Sequence, residues 1–335
     1  MSAAPAPYRV LLTDRAWPDT RIEREILLEA GAELIEAKDT SEPSLCAMAA
    51  DVDAIAVNWA PVTEAVVRAA RRCRIICRTG IGLDNIAVTT ATELKIPVTN
   101  VPDYCVAEVA DHALSLLLAC ARNIAFFHLR TKQREYSLRA APPMPRLAGK
   151  RLGLVGLGHI GRNLAVKARA LGLEILGHTS TGNDHGTGSR MVSLDTLLAE
   201  SDFVSLHVPL TSATHHLLRL AQFEKMKRSA YLINTARGGL IDHTDLWIAL
   251  QRRLIAGAAL DVFEPEPPDL STPLMQDERV IVTPHAAFVS HESLIELRSR
   301  VARQIVDSLS GRRPECVVNP EVLARAAPPA GTNSI

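Results

Sequence analysis

The chain lacks the features that mark nucleic-acid-binding and membrane proteins. Lys and Arg together number 37 among its 335 residues, and Asp and Glu also number 37, so the formal net charge is zero. Without a basic excess there is no field that would attract nucleic acid or an anionic membrane surface. The longest apolar runs, such as residues 113–121, are far shorter than the roughly 20 residues of a membrane-spanning helix. We therefore predict no nucleic-acid partner and no membrane partner.

Cysteine is also scarce, and its spacing argues against a disulfide framework. The six cysteines are scattered, and none of them forms a CxxC pair. Most of them lie in apolar runs, which is typical of free buried thiols in a reducing compartment. Residues 1–8 lack the basic and apolar regions of a signal peptide. We expect a cytoplasmic protein without a metal site, in which His215 and His216 are solvated surface residues.

Short β-rich runs alternate with helical patterns along almost the whole chain, which predicts parallel sheets joined by crossover helices. The length allows two such α/β domains. A long helix over residues 106 to about 122 lies between them, and successive prolines predict an extended connector at residues 140–146. An Ala- and Pro-rich tail at residues 325–335 is predicted to be disordered at its tip. The predicted strands are 9–13, 54–58, 74–77 and 97–100, then 152–155, 174–177, 203–207, 231–234, 257–261 and 280–283; the other predicted helices are 21–30, 63–70, 164–171, 194–199, 222–226, 244–250 and 294–309.

The most informative motif is Gly156-x-Gly158-x-x-Gly161, between a predicted strand and a predicted helix. The first glycine suits a tight turn, the second lets the backbone approach a pyrophosphate, and the third permits close packing of the helix on the strand. The helix N-terminus adds N–H groups and the positive end of a dipole. A plain strand-to-helix turn can also be rich in glycine, but the flanking strand and helix favour a dinucleotide site.

Four polar side chains follow the ends of later predicted strands. Arg237 follows the strand 231–234, Asp261 ends the next strand, and His285 follows the last one. Glu266 lies in the proline-rich turn after Asp261. In open α/β sheets ligands bind outside the carboxyl ends of the strands, so we expect these side chains to surround a bound dinucleotide.

These residue types suit hydride transfer to or from a carboxylate-bearing substrate. His285 would exchange the substrate hydroxyl proton, because imidazole titrates near neutral pH. Glu266 would accept a hydrogen bond from the other ring nitrogen and so fix the tautomer, although Glu264 stands equally near in the same turn. Arg237 would bind the substrate carboxylate with its planar guanidinium, and Asp261 would accept from the nicotinamide carboxamide. Each residue alone could be structural, and only the set indicates this chemistry.

These motifs together resemble the D-isomer-specific 2-hydroxyacid dehydrogenase family, over essentially the full chain up to about Pro320. Residues 234–242 and 283–298 look closest to the C-terminal-binding-protein branch of that family. The stretches that carry the resemblance are 78–85, 156–161, 207–209, 234–242, 257–263 and 283–287.

The resemblance implies two doubly wound α/β domains. A Rossmann-type NAD(P)-binding domain at 104–286 would be inserted into a discontinuous, flavodoxin-like substrate domain at 1–103 and 287–335. It also implies Arg237, Glu266 and His285 as the catalytic residues and a homodimer formed through the cofactor domains. The substrate, a small 2-oxo or 2-hydroxy acid, would be bound by Gly80, Ile81 and Gly82 and bordered by Trp59.

The expected cofactor is NAD, with NADP as the alternative, because one position departs from the family pattern. NAD-preferring members carry an acid at the end of the second strand, where this chain has Thr179. Without a carboxylate a 2′-phosphate is not repelled, but no arginine follows before Arg190. The predicted cofactor contacts are Gly156, Gly158, His159, Ile160, Gly161, Thr179, His207, Pro209, Thr235, Ala236 and Asp261.

Two other functions remain open at this stage. The chain could be a dinucleotide-sensing binding protein, similar to a corepressor, with little or no turnover. It could also oxidise a phosphoglycerate, for which Arg78 is the one candidate phosphate contact that the sequence offers. The retained trio of Arg237, Glu266 and His285 favours an active oxidoreductase of 2-hydroxy acids.

Overall fold

The computed structural model describes residues 8–139 and 142–323. Two compact units divide the chain, one holding the residues up to Tyr104 and from Ser290 onward, and the other holding Cys105–Val289. These divisions lie close to the predicted limits at residues 103 and 286. Residues 140 and 141 of the predicted connector and the predicted tail at 325–335 lie outside the described residues. Residues 142–146 contain no helix or strand.

The first unit contains a sheet of five parallel strands in the order β2-β1-β3-β4-β5. This is the flavodoxin-like order 2-1-3-4-5, so the predicted fold class is confirmed for this unit. Its strands are β1 (Tyr8–Leu12), β2 (Ala32–Glu36), β3 (Ala54–Val57), β4 (Ile76–Arg78) and β5 (Val98–Thr99); its helices are α1 (Arg21–Leu27), α2 (Glu42–Ala49), α3 (Glu64–Ala69), α4 (Val88–Glu93) and α12 (His291–Leu309).

Three elements of this unit are missing from the predicted set, namely β2, α2 and α4. Strand β2 directly follows Gly31, whose φ of 64° ends the preceding helical segment, and its two glutamates weaken the apolar pattern. Helix α4 has the sequence VTTATE, in which β-branched residues favour a strand over a helix. The predicted strand 74–77 is also displaced, since β4 begins only at Ile76.

The second unit contains seven parallel strands in the order β12-β11-β10-β9-β6-β7-β8. Counted from its own first strand, this is the Rossmann order 3-2-1-4-5-6 with a seventh strand added, which confirms the predicted fold class. Its elements are α5 (Val106–Ala121), α6 (Ile124–Lys132), β6 (Arg151–Val155), α7 (His159–Ala170), β7 (Glu174–His178), β8 (Arg190–Met191), α8 (Leu194–Glu200), β9 (Phe203–Leu206), α9 (Leu220–Phe223), β10 (Tyr231–Asn234), α10 (His243–Gln251), β11 (Gly257–Leu260), α11 (Pro273–Gln276) and β12 (Val280–Val282).

The central strands of both sheets are buried along their whole length. Every residue of β3, β9, β10 and β11 is buried. Short, continuous apolar strands of this kind are expected where helices cover both faces of a parallel sheet. The short elements β8 and α11, of two and four residues, are absent from the predicted set, and so is the longer helix α6. Predicted helix 222–226 corresponds to α9, which begins earlier, at Leu220.

No single helix in the described ranges is long and apolar enough to cross a membrane. Helices α5 and α6 reach the length and apolar composition of a membrane-spanning helix only when they are taken together, and the chain bends by 64° between them. Helix α5 buries seven of its residues, and six of them pack in the core of the second unit with Leu152 and Leu154 of β6. The apolar composition of this helix is thus that of a core helix.

A buried ion pair attaches the C-terminal helix α12 to the N-terminal part of its unit. Arg298 of α12 donates to both carboxylate oxygens of Glu23 in α1, at 2.7 Å each. Both residues are less than a tenth exposed, and Arg298 also donates to the backbone oxygen of Asp19. This bidentate, buried pair joins two segments that are 275 positions apart in the sequence, so it stabilises the packing of the C-terminal helix in the first unit.

Removing one partner of this pair should destabilise the first unit strongly. We expect Glu23→Gln to lower the free energy of unfolding by about 3 kcal/mol, because it removes the buried, bidentate counter-charge and leaves the guanidinium only its longer pair with Asp19. The double variant Glu23→Leu/Arg298→Leu should recover most of the loss. Urea denaturation checks both, and a loss below 0.5 kcal/mol (roughly that of a surface pair) in Glu23→Gln would contradict the assignment.

Candidate active site

The glycine-rich turn joins β6 to α7 at the point where the strand order of the second sheet reverses. Gly156 has a φ of +101°, and a Cβ there would lie 2.6 Å from the backbone oxygen of His207, which follows the neighbouring strand β9. A Cβ on Gly161 would lie 2.3 Å from the oxygen of Gly156. The first and third glycines are therefore required by close backbone contacts within the chain.

The second glycine has a different environment. A Cβ on Gly158 would meet no protein atom within 4 Å, so a side chain there would obstruct only a group outside the chain. Gly158 is the N-cap of α7, and it offers no side-chain cap to the helix. The N–H groups of the first turn, those of His159 and Ile160, therefore indicate a binding site for an anion. This turn fits the pyrophosphate of a dinucleotide.

Thr179 lies directly after β7, where an acid would accept from an adenosine ribose. Its hydroxyl donates to the backbone oxygen of Asn183 at 3.1 Å. The side chain is partly buried, whereas those of Ser180 and Thr181 are exposed. Arg190, the nearest downstream arginine, forms an ion pair with Glu200. The site thus offers hydroxyl groups, and no carboxylate, at the position that distinguishes NAD from NADP.

Five neighbouring strands of the sheet end at the same edge as this turn. Each of them is followed by a residue that was predicted to bind the cofactor or to act in catalysis. In spatial order these strands are β12, β11, β10, β9 and β6. Because all are parallel, their carboxyl ends share one edge of the sheet. The residues that follow them are His285, Asp261, Arg237, His207 and Gly156.

His285 and Glu266 form a direct pair at this edge. The Nδ1 atom of His285 lies 2.8 Å from Oε2 of Glu266, and Oε1 of the same carboxylate accepts from the backbone N–H of Phe263 at 2.8 Å. Partial burial alone would raise the pKa of Glu266, but the bond to His285, the Phe263 N–H and the charge of Arg237 together hold it below its ordinary value. Glu264, the other candidate partner, contacts His215 and His216 instead.

Arg237 is placed by the strand end before it. The amide of Asn234, the last residue of β10, donates to the backbone oxygen of Arg237 at 2.8 Å and accepts from the N–H of Ala236 at 3.0 Å. The next residue, Gly238, packs so closely on Phe263 that a Cβ would lie 2.0 Å from its carbonyl carbon. The segments after β10 and β11 therefore meet, which brings the guanidinium into the range of Glu266.

Asp261 follows the last residue of β11 and contacts the loop that carries His285. Its carboxylate is fully buried, and its oxygens accept from the Thr283 hydroxyl at 2.5 Å and from the N–H groups of Ala286 and Ala287 at 2.9 Å each. The structure therefore places this side chain inside the loop that carries His285. The predicted contact of Asp261 to the nicotinamide carboxamide stays a prediction.

His112 belongs to the same network, and the sequence analysis missed it. Its Nε2 lies 3.1 Å from the Thr283 hydroxyl and 3.5 Å from Asp261. The residue lies on α5, the helix predicted to lie between the two domains. A titratable side chain directly before the apolar run 113–121 was the available signal.

Two further predicted cofactor contacts lie at the same strand ends. Burial lowers the pKa of His207 to about 4, and its Nε2 lies 2.9 Å from the Ser205 hydroxyl. The Thr235 hydroxyl is buried and has no hydrogen-bond partner among the described residues, which suits an acceptor supplied by a ligand. Pro209 is exposed, and its backbone oxygen accepts from Thr214.

The predicted substrate contacts lie in the first unit. Arg78 is almost fully buried and donates to the backbone oxygens of Thr79 and Gly82, so it supports the turn that contains Gly80, Ile81 and Gly82. A guanidinium used in this way does not favour the phosphate-binding role considered for it. Trp59 is 44% exposed, and its backbone N–H donates to Asp14.

The sequence of the chain is similar to those of known proteins along almost its whole length. The NAD-binding domain model of the D-isomer specific 2-hydroxyacid dehydrogenases matches residues 114–287. A glyoxylate reductase of Korarchaeum cryptofilum is 38% identical, over 90% of this chain and 94% of its own. A hydroxypyruvate reductase of Thermotoga maritima is 36% identical, over 91% and 98%.

The chain belongs to the D-isomer specific 2-hydroxyacid dehydrogenase family. A solved structure of D-lactate dehydrogenase from Aquifex aeolicus, complexed with NAD and lactic acid, matches it with a TM-score of 0.81 and 29% identity, over 90% of this chain and 96% of the other. The protein is an NAD(P)-dependent oxidoreductase that transfers a hydride between a nicotinamide cofactor and a small 2-hydroxy or 2-oxo acid. These relatives are all enzymes, and they give no support to the corepressor-like alternative.

The low pKa of His207 predicts that stability falls in mild acid. Between pH 6.5 and about 4 the unfolded chain takes up a proton on this ring and the folded chain does not, so the free energy of unfolding decreases as the pH is lowered through that window. We expect a contribution of about 2 kcal/mol, absent in His207→Asn, which keeps a polar partner for Ser205. Urea midpoints at pH 7 and pH 4.5 measure it, and equal acid losses in both proteins would refute it.

Proposed function

We propose that this dehydrogenase reduces small, unbranched 2-oxo acids of the size of glyoxylate and hydroxypyruvate. The observation that carries the proposal is the 2.8 Å pair of His285 and Glu266, at the edge of the sheet to which Arg237 is also brought. The names of the two similar reductases described above support this substrate size.

The roles of the three side chains follow from their chemistry. Glu266 holds Nδ1 of His285 in its protonated form, so Nε2 is the ring nitrogen that we assign to the substrate oxygen. In reduction the imidazolium donates its Nε2 proton to that oxygen. Arg237 binds the substrate carboxylate through two N–H groups and polarises the adjacent carbonyl. Gly80, Ile81, Gly82 and Trp59 remain the predicted substrate contacts.

The cofactor would be held by the turn and by the hydroxyl groups at the strand ends. The open backbone at Gly158 and the first turn of α7 would bind the pyrophosphate, and the Thr235 hydroxyl would bond to the cofactor. NAD(P)H supplies the hydride when it is bound. We further infer a homodimer formed through the cofactor domains, to which residues 106–122 contribute, and a cytoplasmic location; both stay predictions.

An activity screen tests the proposed reaction. Purified protein is assayed with NADH and with NADPH against glyoxylate, hydroxypyruvate, pyruvate and longer 2-oxo acids. We expect the two smallest substrates to give the highest kcat/KM. Preferred turnover of branched or longer acids would overturn the proposed substrate size, and no turnover with any acid despite saturable cofactor binding would overturn the proposed catalysis.

Substitutions in the trio should separate binding from proton transfer. We expect His285→Ala to lower kcat by about two to four orders of magnitude, because the proton donor is lost. Arg237→Ala should lower kcat/KM by an amount equivalent to about 2–5 kcal/mol of binding. Glu266→Gln should reduce kcat and alter the pH profile, since an amide does not stabilise the imidazolium.

Matched controls for these variants lie on exposed positions of the same unit. Glu224→Gln, directly after α9, and His128→Ala on α6 change the same residue types away from the strand ends. Both should retain wild-type kcat and KM. Turnover within about twofold of wild type in His285→Ala would be inconsistent with its assigned role.

The cofactor preference can be tested at Thr179. Introducing a carboxylate with Thr179→Asp should favour NADH, because it would repel a 2′-phosphate and accept from a ribose hydroxyl. We expect the ratio of kcat/KM for NADH to that for NADPH to rise at least about tenfold, which corresponds to about 1.4 kcal/mol. The matched control Thr181→Asp, two residues further on, should leave the ratio within about twofold of wild type. An unchanged ratio in Thr179→Asp would show that this position does not contact the adenosine ribose.

A further inference from the structure

A second cluster of histidine and glutamate lies outside the catalytic trio. His215 and His216 follow β9, and Glu264 follows β11. The Nε2 atoms of both histidines lie 3.3 Å from the same oxygen, Oε2 of Glu264. The possible ligand atoms of all three residues lie within 4.8 Å of one another. Within residues 8–139 and 142–323, no other three histidine, cysteine, aspartate or glutamate side chains come this close together. We call this set the His–His–Glu cluster.

The distances in the cluster suit a shared metal ion better than simple hydrogen bonds. A charge-assisted N–H···O bond usually spans about 2.7–2.9 Å, which is shorter than either contact here. Donor atoms about 2.0–2.1 Å from a tetrahedral zinc ion stand about 3.3 Å apart, which is the separation observed between each nitrogen and the carboxylate oxygen. Two imidazoles and one carboxylate form a ligand set that is common for zinc.

A further carboxylate orients one of the ligands. Nδ1 of His216 lies 3.5 Å from Oδ2 of Asp242, on the side of the ring away from Glu264. Metal-binding histidines usually direct their other ring nitrogen toward a carboxylate or carbonyl group, which fixes the tautomer. The second oxygen of Asp242, Oδ1, accepts from the N–H groups of Thr244 and Asp245 and caps α10. The carboxylate is therefore held in place by the helix.

The backbone also holds the cluster in place. The N–H of His215 donates to the oxygen of Thr211 at 2.8 Å, and the N–H of His216 donates to the oxygen of Gly239 at 2.7 Å. The carboxylate of Glu264 packs on Gly239 as well, where a Cβ would lie 3.0 Å from Oε1. The two imidazole rings stack with their centres 3.9 Å apart and their planes 21° apart, so both nitrogens bind one ion only after a side-chain rotation that breaks this stacking.

We propose that His215, His216 and Glu264 bind one zinc-type divalent ion, with a fourth position taken by water. The ion would crosslink the segments that follow β9 and β11. Neither the cofactor nor the 2-oxo acid takes part in this binding, so the proposal is independent of the proposed substrate. The expectation of no metal site rested on sequence spacing, which cannot detect a ligand 48 positions away from its partners.

Zinc titration of the chelator-treated protein tests the proposal. We expect one Zn²⁺ per chain with a rise in Tm on saturation, and an intense visible spectrum typical of four-coordinate Co²⁺ when cobalt is used in its place. His215→Ala/His216→Ala and Glu264→Gln should each weaken Zn²⁺ binding at least about 100-fold. Asp242→Asn keeps the cap acceptor Oδ1 and removes the acceptor for His216, and it should weaken binding about 10–100-fold.

Two controls separate this cluster from other histidines. His128→Ala on α6 removes an exposed histidine elsewhere, and His285→Ala removes the other histidine–glutamate pair. Both should bind Zn²⁺ as the wild type does, while circular dichroism verifies that every variant is folded. Equal Zn²⁺ affinity in wild type and the folded double-alanine variant would overturn the proposal, as would loss of binding in His285→Ala alone.

Discussion

The site depends most on the hydrogen bonds that the buried carboxylate of Asp261 accepts. This carboxylate accepts hydrogen bonds from the hydroxyl of Thr283 and from the N–H groups of Ala286 and Ala287, so it binds both sides of the loop that carries His285. His285 itself has a φ of +52°, a left-handed conformation that is unfavourable for a residue with a side chain. A fully buried carboxylate with several donors around it can stabilise such a loop, because losing one donor would leave the buried charge with fewer of the hydrogen bonds that compensate its desolvation.

The order of the strands accounts for the composition of the site. Residues from positions 156 to 285 are far apart along the chain, yet they follow five strands that lie next to each other. A parallel sheet gives every strand the same direction, so each strand end contributes one loop to the same edge. The pair of His285 and Glu266 comes from the segments after β12 and β11, whereas the guanidinium of Arg237 comes from the segment after β10. The same edge also holds the His–His–Glu cluster, whose members follow β9 and β11.

Much of the fold could be predicted because its signals are local. Buried strands such as Tyr231–Asn234 are short apolar runs, and α5 has a long apolar pattern. The missed elements lack such signals: α4 is made of β-branched residues, and β2 carries two glutamates on five residues. Their secondary structure is decided by the sheet and helices that they pack against, because local preference at these positions is weak or opposite.

The sequence alone determined the residue types, the glycine spacing and the alternation of strands and helices, and these were enough to indicate a dinucleotide site and an acid–base pair. Only the tertiary structure decided which carboxylate serves which purpose. Glu266 contacts His285, Glu264 contacts the two surface histidines, and Asp261 lies inside the protein. A carboxylate has the same chemistry wherever it stands in a sequence, and its role is set by the donors and charges that folding places around it.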